Sequence, residues 1–126
     1  MNDPKRLICL ISQGCPDRTQ SSNQENATNW LSARFVPYTI IDGMDPDQRE
    51  ERNILFGISG IRGNYPQFFF EHPDGTFTFL GSFDKIEMLN ETNGLPHDVL
   101  AQHPELETWD KVFGSVVESF AKPLSR

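Results

Sequence analysis

The chain has 126 residues, of which 37% are hydrophobic and 23% charged, enough for one packed domain and too apolar for wholesale disorder. Lys and Arg total 11 against 18 Asp and Glu, a net charge of −7, and the longest basic run is Lys5-Arg6. A phosphate-binding surface needs clustered positive charge, so nucleic acid and anionic membranes are poor partners for this chain.

Residues 7–11, Leu-Ile-Cys-Leu-Ile, form a short unbroken apolar run, the pattern of a strand buried on both faces. It is too short for a signal core and no stretch reaches the length of a membrane span, so a cytoplasmic, reducing location is expected. Cys9 and Cys15 are then thiols, with Cys9 a small core residue. Residues 12–22 hold Gly14 and Pro16 and read as a loop. Ser22 with Glu25 has capping-box spacing for a first helix, on which Ala27, Trp30, Leu31 and Arg34 share a face.

Residues 36–41 predict a second strand with Pro37 near its start. Asp45-Pro46-Asp47-Gln48 then announces a helix capped by Asp45, with Gln48 at the capping-box position, running to about Phe56 and stopping at Gly57. Aromatic runs at 67–71 and 76–80 flank His72-Pro73-Asp74-Gly75 and predict an antiparallel hairpin. A helix over about 83–91 follows, capped by Ser82, with Ile86 and Leu89 inward and Asn93-Gly94 as its stop. After His103-Pro104, the residues Trp109, Val112, Phe113, Val116, Val117 and Phe120 make one apolar stripe on a helix of about four turns, with Pro104 at its start.

The order β-α-β-α-β-β-α, a loop with Cys15-Pro16 after the first strand, and Tyr65-Pro66-Gln67 opening the hairpin resemble a glutaredoxin. Residues 58–70, Ile-Ser-Gly-Ile-Arg-Gly-Asn-Tyr-Pro-Gln-Phe-Phe-Phe, with Phe79-Leu80-Gly81 and Phe83-Asp84, more closely resemble the Src-homology-3-binding glutamic-acid-rich proteins, glutaredoxin-like proteins without a working redox motif. The resemblance covers about residues 5–92 and implies an α/β thioredoxin fold, a mixed four-stranded sheet flanked by helices. Residues 93–126 form an added helical extension with no counterpart in the family.

The resemblance also implies a site. Pro66 matches the family's cis-proline, which turns the backbone N–H and C=O of the preceding residue toward the reactive loop. Cys15, Arg18, Tyr65, Pro66 and Asp84 would line a glutathione-like groove. Cys15-Pro16-Asp17-Arg18 keeps the first cysteine of the redox motif and has Arg18 in place of the second, so a dithiol mechanism is closed. Asp17 raises the thiol pKa, and the lysine that glutaredoxins place before the cysteine is absent. The simpler reading of Asp84, which needs only local physics, is a first-turn acid complementing the dipole of the helix capped by Ser82.

His72, His97 and His103 assemble no metal site, and residues 57–63 lack the Lys-Ser/Thr of a phosphate loop. The expectation is a non-catalytic interaction or scaffold protein in a multi-subunit assembly, without cofactor. The alternative is a monothiol glutathione-dependent oxidoreductase using Cys15. The family's Src-homology-3 ligand does not carry over, since no Pro-x-x-Pro occurs. The terminal stripe, through Trp109, Phe113, Val116, Val117 and Phe120, is expected to dock at least in part on a protein partner, being too large to leave in water.

Overall fold

A computed structural model describes residues 5–14 and 16–120. Four strands, β1 (Arg6–Ile11), β2 (Tyr38–Asp42), β3 (Gln67–Glu71) and β4 (Phe77–Ser82), make one sheet in the order β2-β1-β3-β4. β1 runs parallel to β2 and antiparallel to β3, which pairs antiparallel with β4. Among the described residues five α-helices accompany it: α1 (Arg18–Ala33), α2 (Arg49–Ser59), α3 (Phe83–Thr92), α4 (His97–Gln102) and α5 (Trp109–Phe120). This mixed sheet with helices on both faces is the thioredoxin fold.

The continuous apolar run of β1 is explained by the two faces it serves. Leu7, Cys9 and Ile11 point into one cluster with Phe68, Phe70, α1, α3 and α5. Ile8 and Leu10 point the other way, into a smaller cluster with Phe69 and with Leu55 and Phe56 of α2. The hairpin forms around the turn at 72–75, with a bulge where Phe68 faces Gly81 and Phe69 faces Phe79.

Several helix ends differ from their sequence expectation. α1 starts at Arg18 because Asp17, not Ser22, is its cap, accepting from the Gln20 N–H at 3.1 Å. This adds a turn that carries Gln20. Val36 and Pro37 precede β2, and the Val36 N–H closes α1 on the Leu31 carbonyl at 2.9 Å. The residue between, Phe35, takes the left-handed position that usually belongs to glycine, with φ 59°. Asp45 caps only one 3-10 turn, Pro46–Gln48, before α2 begins. Gln48 does not fold back on Asp45; its Oε1 accepts from the Asp42 N–H at 2.8 Å. α2 runs through Gly57 to Ser59; the Gly60 N–H still donates to the Phe56 carbonyl at 2.8 Å, and its φ of 74° turns the following chain out of the helix.

Ser82 stands at the cap position of α3 without a side-chain cap bond, and the short α4 was not foreseen. α5 begins at Trp109 rather than at Pro104 and is accordingly shorter. Thr108 caps it, accepting from the Lys111 N–H at 3.2 Å. Its first N–H donates to the buried Thr92 hydroxyl at 3.2 Å, which in turn donates to the Leu89 carbonyl at 2.7 Å. That relay ties the start of α5 to the end of α3.

Candidate functional site

The strand register brings the expected groove residues to one end of the sheet. Leu10 faces Gln67 and Gln67 faces Ser82, so the loop after β1, the segment before β3 and the first turn of α3 share that end. Arg18, Tyr65, Pro66 and Asp84 therefore all belong to it, and Arg18 and Asp84 are exposed there. Cys15 lies outside the described residues.

The Tyr65–Pro66 peptide is cis, as the resemblance implies, and Pro66 is buried. The Tyr65 N–H, however, is not offered to a ligand: it donates to Gln20 Oε1 at 2.9 Å. The Tyr65 ring lies 6.1 Å from that of Phe56 and closes over Gly43, where a Cβ would come within 2.9 Å of the ring carbon Cζ. Only a glycine admits the ring so close.

The loop after β1 is also bonded within the chain. Gln24, one helical turn after Gln20, makes a two-point clamp on Ser12, accepting from its N–H at 2.7 Å and donating to its carbonyl at 3.1 Å. Asp42 Oδ1 accepts from the Gln13 N–H at 3.1 Å and the Met44 N–H at 2.9 Å. Gln67, fully buried, donates through Nε2 to the carbonyls of Ile61 at 3.0 Å and Asn64 at 2.8 Å and so fastens the segment that leads to Pro66. The guanidinium groups of Arg52 and Arg62 lie 5.8 and 5.2 Å from the centre of the Phe56 ring.

Sequence reasoning missed this set of glutamines. The i,i+4 spacing of Gln20 and Gln24 places both on one face of α1, but Gln20 falls within residues 12–22, which the sequence reads as a loop. Among the described residues no three His, Cys, Asp or Glu side chains gather as a metal site. Complete burial pushes the Cys9 thiol well up from its ordinary pKa, so it is protonated and inert.

The second candidate, the α5 stripe, is largely spent inside the domain. Trp109, Val112, Phe113 and Val116 are buried in the core of β1, α1 and α3. Phe113 lies 4.7 Å from Trp109 and 6.4 Å from Phe70, centre to centre. Partner docking through Trp109, Phe113 and Val116 is thus corrected: the face of the sheet beside β1 had room for a third helix, and the stripe fills it. Val117 and Phe120 are only partly buried, and Arg6 stacks on Phe120 at 4.4 Å. No helix among the described residues is long and apolar enough to cross a membrane.

Comparison with known proteins bears on the fold alone. No family model and no curated protein matches the chain. Among solved structures, one titled actin interacting protein 5 (Aip5, wild type) aligns with a TM-score of 0.51 at 20% identity, over 72% of this chain and 88% of that one. Oxidized glutaredoxin 2 from Chlamydomonas reinhardtii aligns with a TM-score of 0.48 at 21% identity, over 81% of this chain and 85% of that one.

Proposed function

We propose that this is a non-catalytic thioredoxin-fold protein that works by binding other proteins in the cytoplasm, as one part of a larger assembly. The observation that carries the reading is the bond from the Tyr65 N–H to Gln20. A glutathione-type ligand needs that backbone group, and a ligand entering here must first break an internal hydrogen bond. The clamp of Gln24 on Ser12 adds to the cost of opening the loop. Replacement of the second motif cysteine by Arg18 agrees with it. Membership of the Src-homology-3-binding glutamic-acid-rich family, through the 58–70 motif, belongs to the same proposal. The name of Aip5 makes actin the first protein to try, with cytoskeletal association as the corollary.

The test is a glutathione-coupled disulfide reductase assay on the full chain beside Cys15→Ser. The expected outcome is equal, background turnover for both. Turnover that depends on Cys15 would instead establish the monothiol reading.

A further inference from the structure

The inner side of α5 is closed against the core, but the flank beside the ends of α1 and α3 is open. A depression of about 500 Å3 lies there, bounded by the ends of α1 and α3, with Phe113, Gly114 and Val117 in its lining. Gly114 is the formative residue. It sits in mid-helix, where glycine is disfavoured against alanine, and a Cβ built on it would meet nothing within 4 Å. The glycine therefore serves no internal packing; it keeps the trough empty.

Asp110, Gly114 and Glu118 follow one another at spacings of four, in one line along the helix. The trough accordingly has an acid at each end, about 12 Å apart at 1.5 Å of rise per residue. Among the described residues neither acid makes an ion pair or a side-chain hydrogen bond. Among the described residues the one cation on the rim, Arg34, is turned inward, 4.5 Å over the Trp109 ring and bonded to Asn90 Oδ1. Phe35, the next residue, stands 74% exposed.

We propose that this trough docks a basic amphipathic helix of a protein partner. One apolar side chain of that helix settles over Gly114, and a Lys or Arg at either side meets Asp110 and Glu118. A second copy of this chain fits poorly, because the acids would face one another and the chain carries −7 overall. The proposal rests on the protein-binding reading above and supplies the chemistry of the partner.

The test is a fluorescence-anisotropy titration of the full chain with two helical peptides of equal length, one of Leu and Lys in amphipathic order, the other with Glu for Lys. The Lys peptide should bind and the Glu peptide should not. Gly114→Leu fills the trough without altering charge and should weaken binding roughly tenfold or more. The pair Asp110→Asn and Glu118→Gln should weaken it similarly and flatten its salt dependence. An affinity unmoved by Gly114→Leu, in a variant whose circular dichroism is native, overturns the proposal, since the attraction would be diffuse charge. So does equal binding of the Glu peptide, or a homodimer in sedimentation that Gly114→Leu dissolves. Any of these leaves the Cys15 assay where it stood, so the two readings fail separately.

Discussion

The end of the sheet around Tyr65 and the open flank of α5 treat their polar groups in opposite ways. At the first, the backbone N–H groups of Tyr65, Ser12 and Gln13 are met by Gln20, Gln24 and Asp42. At the second, a glycine and two acids without an ion pair among the described residues leave surface unfilled. Polar satisfaction closes backbone groups to outside partners, and an omitted side chain leaves room at a surface. A fold ordinarily read by its loop cysteine is here more open along one flank of its added helix.

That contrast requires α5 to be structural on its inner side. Phe113→Ala, and equally Trp109→Ala, should cost about 3–5 kcal/mol in urea unfolding, as for other buried aromatic truncations. Removing residues 95–126 should leave a chain that aggregates. If the shortened chain stays folded and monomeric, α5 is a docking element on both sides, and the comparison fails.

The loop end can be tested through its plug. Gln20→Ala should lower stability by about 1 kcal/mol and speed hydrogen exchange at the Tyr65 amide. Unchanged exchange would mean that the amide is protected without Gln20, and the case for a plugged groove would lapse.

Phe35 sharpens the other side of the contrast. Its left-handed backbone and exposed ring contribute little to the fold. Phe35→Gly should raise the unfolding free energy by about 1 kcal/mol, the usual relief of the left-handed penalty. A loss of stability would show that the ring is held by the domain rather than offered from it.

The smallest effect is expected at the hairpin tip. The Asp74 carboxyl is held below the usual 3.8, first by the Thr76 hydroxyl at 2.6 Å and then by the Thr76 N–H at 3.0 Å. A lowered folded pKa means that this support is present above the unfolded value and is lost as pH falls through the folded one. Asp74→Asn should remove that acid-range step from the hairpin amide shifts followed by NMR and leave the neutral range untouched.

Much of the fold was legible because its signals are local. The two-faced run at 7–11, the turn at 72–75 between aromatic runs, and the period of the terminal stripe each report a backbone geometry directly. Helix ends were less legible because several residues could do the same job. Asp17 and Ser22 both offer a capping oxygen, and Gly57 and Gly60 both permit a stop. The choice fell to Asp17 and Gly60, where the N–H of Gln20 and the carbonyl of Phe56 find partners. The candidate groove was legible only as a set of positions at one sheet end, through Arg18, Tyr65, Pro66 and Asp84.

By itself, the sequence determined which residues are apolar enough to build a core, where strands and helices alternate, and that the surface is acidic. It also determined that the stripe from Trp109 to Phe120 must be covered. Tertiary structure alone decided what covers it and what fills the groove. An apolar face is satisfied by any complementary apolar face, and a backbone N–H by any acceptor within reach. Whether that surface is the chain's own or a partner's depends on which elements the sheet brings side by side. Here the sheet set α5 beside β1 and turned Gln20 toward Tyr65.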